Sequence, residues 1–174
     1  MSRTYFSLVL LFLLVVEGSL LPNLLLNYTG SDQIVVPRFA LIVIVLIGLY
    51  SGKQVGMLYG LAFGLIFDVV YTNYLGIYTF GFACLGYALA VPLKAVKESA
   101  LWAVVLAIVA VFAFEYYQYG LFYVLGVTEM QGSTFFMDRL LPTLVLNSAF
   151  AILIVLPVRK LAAHVLEQAR IRQR

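Results

Sequence analysis

The sequence predicts an all-α polytopic membrane protein, six transmembrane helices with both termini on the cytoplasmic side, and three observations predict it. The chain of 174 residues is 64% hydrophobic and only 11% charged, whereas soluble domains run near ~25% charged; the mean hydropathy is +1.03. Apolar runs recur along the whole length at close to the ~20 residues needed to cross ~30 Å of hydrocarbon. The breaks between runs divide the basic residues unequally, which is a signature of orientation. The length leaves no room for a separate soluble domain.

The first apolar run, residues 4–21, follows Arg3 and continues through Leu20 and Leu21. It is longer than the roughly 7 to 15 residues of a signal-peptide core, so a retained first helix is expected over cleavage near Gly18 or Ser19. Residues 22–36 contain Asn23, Asn27, Gly30, Ser31, Asp32 and Gln33, which favour turns and solvent. Pro37 opens a second span, 37–50, because the first turn tolerates a missing N–H. Ser51-Gly52-Lys53 turns into a third span, 53–71, and residues 71–76 turn into a fourth, 77–93. A charged break, Lys94 to Ser99, precedes the fifth span, 100–125, and a polar loop, 126–137, precedes the sixth, 138–156, which is expected to end at Pro157. These spans form one domain, 1–157.

With the amino terminus inside, nine of the eleven basic residues fall on the cytoplasmic side and only Arg38 and Arg139 outside, as the positive-inside bias requires. Residues 158–174 then form a basic cytoplasmic tail. Val158, Leu161, Ala162, Val165 and Ala169 recur at helical spacing, with Arg159, Lys160, His164, Arg170 and Arg172 largely on other faces and Arg174 at the end. That pattern suits a helix lying on an anionic leaflet, or a docking surface for a cytoplasmic partner. The basic residues form no stripe interleaved with aromatics, so nucleic acid is not an expected partner.

The third span carries Gly52, Gly56, Gly60 and Gly64 at steps of four, with Asp68 at the next step. Glycine costs ~1 kcal/mol relative to alanine in a water-exposed helix, so this regularity needs a reason. In lipid the reason is close backbone approach, within the protein or against a partner helix; a glycine-lined ligand passage is the alternative. The stripe drifts about 40° per step on an ideal helix.

A carboxylate inside a membrane helix costs at least ~2.5 to 3.5 kcal/mol at the centre, which makes the intramembrane acids informative. Asp68, Glu17, Arg38 and Arg139 all fall near the external ends of their spans. Either they form an ion-paired cluster or each snorkels to the interface. Glu115 lies near the middle of the fifth span, among tyrosines and Gln118. Two readings suit it, a structural polar clasp and a proton, cation or ligand site.

The catalytic inventory is thin: one histidine, His164, one cysteine, Cys84, and none of the common hydrolase, zinc-protease or nucleotide-binding motifs. No enzyme activity, metal or cofactor is expected. One cysteine cannot form an intrachain disulfide.

The run from Gly56-Met57-Leu58-Tyr59-Gly60 through Gly64-Leu65-Ile66-Phe67-Asp68 to Tyr71, followed by Leu75-Gly76-Ile77-Tyr78 and Gly86-Tyr87, resembles the MreD family of bacterial rod shape-determining membrane proteins, with its Gly-x-x-x-Gly-Leu-x-x-Asp and Leu-Gly segments. Length, six-helix layout and basic tail agree. Family members typically enter the second span with Pro-Asp, and here Pro37-Arg38 reverses that charge, so no role of that acid carries over. The resemblance implies a non-enzymatic scaffold of the cell-elongation complex. Such a scaffold binds MreC and couples MreB to peptidoglycan synthases, a RodA-type glycosyltransferase and a class B penicillin-binding protein; membrane lipids and a homodimer are further expected contacts. The family's fold is also similar to the S components of energy-coupling-factor vitamin transporters, which supplies a rival function. An S component needs an outward-opening cavity and a small-residue face on its first helix, whereas Ser7 to Val16 is nearly all Leu and Val.

Overall fold

The computed structural model describes residues 2–20, 33–91 and 94–172, and among them every regular element is helical. Helix α1 spans Ser2–Val15 and widens into a π-helical stretch, Val16–Leu20. Then come α2 (Phe39–Ser51), α3 (Lys53–Tyr71), α4 (Ile77–Ala88), a short α5 (Lys94–Glu98) and α6 (Ala100–Val124). A single turn, α7 (Gly132–Thr134), leads through a second π-helical stretch, Phe135–Leu140, into α8 (Leu141–Arg172). Three stretches, Lys53–Tyr71, Ala100–Val124 and Gly132–His164, are long and apolar enough to cross a membrane; Thr4–Ser19, Phe39–Ser51 and Ile77–Ala88 are shorter apolar helices.

The centre of the bundle is α2. Its residues from Phe39 to Tyr50 are all buried, as expected of a helix that is apolar on every side. Helices α1, α3, α4, α6 and α8 all pack against it, and the most extensive pairing in the bundle is α3 with α4. One short helix thus sits inside a ring of others, and a second short helix, α4, belongs to that ring with Phe80 and Tyr87 exposed: thirteen residues give α2 about 20 Å of length, and twelve give α4 about 18 Å.

Helix boundaries differ from the sequence expectation in three places. The sixth span is helical from Gly132, inside the polar loop the sequence predicts over 126–137, and Phe135, buried against Tyr119, anchors that early start. Helix α4 stops at Ala88 rather than residue 93, since Pro92 has no N–H to bond the Ala88 carbonyl four residues earlier. The sixth span does not end at Pro157; α8 runs through it to Arg172. An interior proline costs ~3 kcal/mol, but Ala151, Val155, Val158 and Ala162 form one buried stripe on both sides of it, and that packing carries the helix across. Residues 158–162 therefore belong to the bundle and not to a separate tail. Arg159 Nη1 donates to the Glu98 carbonyl at 2.8 Å, tying this part of α8 to α5, while Lys160 is exposed. The side chains of Arg170 and Arg172, all of Arg174, and most of the loop expected at 22–36 lie outside the described residues.

Candidate functional site

Helix α2 starts deep. Residues 33–37 run into the bundle outside any helix, with Arg38 as the N-cap of α2, and irregular backbone at such depth is tolerated only where protein satisfies it. Here α8 supplies the partners. Thr143 Oγ1 accepts from Val36 N at 3.0 Å, and Asn147 Oδ1 accepts from Arg38 N at 2.7 Å. Asn147 Nδ2 donates to Val36 O at 2.9 Å. Pro142 has no N–H for the Asp138 carbonyl four residues before it, and Ile34 N donates to that carbonyl at 2.7 Å. Glu17, placed by the π-helical end of α1, accepts from Ala40 N through Oε2 at 2.9 Å; an acid here complements the positive end of α2.

The non-helical entry carries Arg38 to the depth of Glu115. The Arg38 guanidinium donates from Nε to Glu115 Oε1 at 2.6 Å, from Nη1 to the Tyr78 hydroxyl at 2.7 Å and from Nη2 to Gln118 Oε1 at 2.5 Å. It lies 5.3 Å from the Tyr78 ring centroid and 4.9 Å from that of Phe114, both within cation–π range. Arg139, brought in by the second π-helical stretch, donates to Glu115 Oε2 at 3.0 Å and to Gln118 Oε1 at 3.2 Å. One carboxylate is thus held between two guanidinium groups, with Arg38 and Glu115 buried. Gln118 Nε2 closes the network by donating to the Tyr78 hydroxyl at 3.2 Å.

Asp68 has a different task. It accepts from Gly76 N, Tyr78 N and Thr79 N at 2.9 Å each, and from Thr79 Oγ1 at 2.6 Å. Those are the free N–H groups that open α4, so a carboxylate on α3 caps its neighbour. Gly76, at φ 103°, makes the turn that aims them.

Glycines hold the rest of the α3–α4 contact. A Cβ built on Gly60 would lie 2.5 Å from the Phe82 carbonyl oxygen, and one on Gly64 2.6 Å from that of Tyr78. One on Gly56 would meet Gly48 of α2 at 2.6 Å and the Gly86 carbonyl of α4. Gly52 stands apart from this stripe: nothing lies within 4 Å of its would-be Cβ, and its φ of 112° makes the turn between α2 and α3.

The structure brings Arg38, Arg139 and Glu115 together and does not form the cluster of Asp68, Glu17, Arg38 and Arg139. The hub is Glu115, because Arg38 enters the bundle on non-helical backbone ahead of α2 instead of stopping at its end. Asp68 and Glu17 meet helix N-termini rather than cations. Thr143, Asn147 and Gly48 complete these contacts without having stood out in the sequence, and Tyr78 stood out only as part of the Leu75–Tyr78 segment, not as a polar partner. Thr143 and Asn147 did carry a signal, two polar side chains one helical turn apart in an otherwise apolar run. Among the described residues no group of three or more His, Cys, Asp or Glu could hold a metal.

The family model for rod shape-determining protein MreD matches residues 2–165. The chain belongs to the MreD family. It is also 32% identical over 132 residues to the rod shape-determining protein MreD of Bacillus subtilis (strain 168), covering 76% of this chain and 77% of that one. No solved structure matches, so the likeness to vitamin-transporter S components gains no support. In this MreD-family chain the motif residues have physical reasons. The glycines let α3 and α4 touch, and the Asp and the Leu-Gly segment form the two halves of one helix cap.

Proposed function

We propose that the chain is a non-enzymatic scaffold of the bacterial cell-elongation complex, lying in the cytoplasmic membrane. Its partners are MreC and, through the complex, MreB, a RodA-type glycosyltransferase and a class B penicillin-binding protein. Family membership over residues 2–165 carries this reading. The internal chemistry agrees with it: the charged groups described above hold one another or helix ends, and their arrangement makes a fixed body rather than a reaction centre.

In this reading α1, α2, α3, α4, α6 and α8 are the six spans, the Arg38 end of the bundle faces outward, and both termini face the cytoplasm. Lys53 opens α3, and Lys97 and Arg159 lie on α5 and on the part of α8 tied to it, which gathers basic residues at the opposite end, as a cytoplasmic face requires. The basic continuation of α8 meets the inner leaflet or a cytoplasmic partner beyond the packed turns.

Affinity purification of the full-length protein from its native membranes tests the proposal. MreC and the wall synthases should co-purify. Recovery of energy-coupling transporter subunits with a retained vitamin, and no MreC, would replace this function with transport.

A further inference from the structure

Between the non-helical entry segment and the first turns of α8 runs a groove of about 750 Å³. Its lining includes Val35, Leu141, Val145 and Leu146, with Gln33 and Asp138 as polar members. An engineered cavity in a protein core is on the order of 150 Å³, so filling this groove takes a run of side chains. Val145 is 72% exposed, and the alternation of Leu141 and Val145 along one helix turn gives the ribbed apolar wall that another helix packs against.

Among the described residues at this end, the cations are engaged and the carboxylates are not all so held. Arg38 and Arg139 are drawn onto Glu115, while Asp138 lines the groove and Glu129 is exposed. The geometry points to a transmembrane helix of another protein as the occupant, apolar where it meets α8 and carrying Lys or Arg at its outer end. This rests on the scaffold reading and names the face that meets the partner. Three occupants are distinguished by that charge. An anionic phospholipid filling the groove would bring its phosphate toward a carboxylate, which is repulsive, and a lipid adduct is an outcome of the test below. A second copy of this chain would offer Arg38 and Arg139, which are already engaged. A helix with a basic outer end gains a charge-assisted contact with Asp138 and apolar packing below it.

The test places a photo-reactive benzoylphenylalanine at Val145 or Leu141 of the full-length protein in native membranes, with Leu65 on the exposed face of α3 as the comparison site. Adducts from Val145 and Leu141 should map to the transmembrane segment of a single-span protein, next to a Lys or Arg at its outer boundary. Leu65 should not give that adduct. Asp138→Lys should abolish it and reversal of the partner's basic residue to Glu should restore it, with membrane levels of the protein unchanged. The backbone contact of Asp138 with Ile34 does not involve the side chain, so this variant keeps its fold. Adducts to lipid or to a second copy overturn the assignment, as do equal yields from Leu65 or indifference to Asp138→Lys. If MreC co-purifies while groove positions give no such adduct, the groove assignment alone fails; if neither occurs, the scaffold reading fails with it.

Discussion

At the Arg38 end of the bundle, helices meet through charged and hydrogen-bonding side chains, whereas along the α3–α4 seam they meet through bare backbone. The two regions solve one problem in opposite ways. Lipid offers no hydrophobic reward for burying apolar surface, so helices associate through packing and polar contacts. The seam removes side chains until Gly60 and Gly64 lie against the carbonyls of Phe82 and Tyr78. The Arg38 end instead admits two arginines, a glutamate and a non-helical segment, and satisfies them mutually. Failures should differ accordingly: the seam is sensitive to volume, and the network to leaving one member without its partner.

The largest expected effect is Glu115→Leu. It strands two guanidinium groups and should cost about 3 to 5 kcal/mol, the usual penalty for breaking a buried pair, read as unfolding in detergent micelles. The triple change of Arg38→Met, Glu115→Leu and Arg139→Met should be milder than the single one, since replacing a whole buried ionic group by apolar residues is often neutral. A triple variant worse than the single would break the comparison.

On the seam, Gly60→Leu meets backbone that cannot step aside, and overpacking costs of about 1 to 3 kcal/mol or more apply. Leu61→Ile, on the exposed face of the same helix, should stay within about 0.5 kcal/mol. Equal melting of the two variants would remove the packing argument. Asn147→Leu takes partners from Arg38 N and Val36 O and should cost about 1 to 3 kcal/mol. Its cost should add to that of Gly60→Leu, because Asn147 and Gly60 share no partner; strong coupling would show that Tyr78, whose hydroxyl belongs to the network and whose backbone lies at the seam, joins the two regions into one unit. Gly52→Ala fills open space but forces alanine to a φ of 112° and a ψ of 152°, a penalty of about 1 to 3 kcal/mol, and the smallest effect belongs to the Leu61→Ile control.

The seam was the more legible region. Glycines at a fixed step, followed by Asp68, are a periodic signal, and period is what sequence reading detects. Only Gly52 misled, since a turn glycine at the helix start falls on the same step by position. The Arg38 end was legible in its members and not in its pairing. Depth was counted from the ends of apolar runs, which put Arg38 at the surface and Glu115 in the middle. The non-helical entry of residues 33–38 cancels that difference, and nothing periodic announces it. Helix α8 was cut short for a related reason: Pro157 is a local stop signal, while the buried stripe that overrides it spans both sides of the proline.

If the chain is the scaffold proposed above, the buried network fixes its shape and the charges themselves carry no transport or proton chemistry. The most direct test asks whether the triple apolar variant, Arg38→Met with Glu115→Leu and Arg139→Met, restores rod shape in cells lacking the native protein, with its folded level in the membrane measured alongside. The account predicts rods and retained MreC. A variant that is folded and inserted at the native level but leaves the cells round would contradict it, because the charges themselves would then be doing the work.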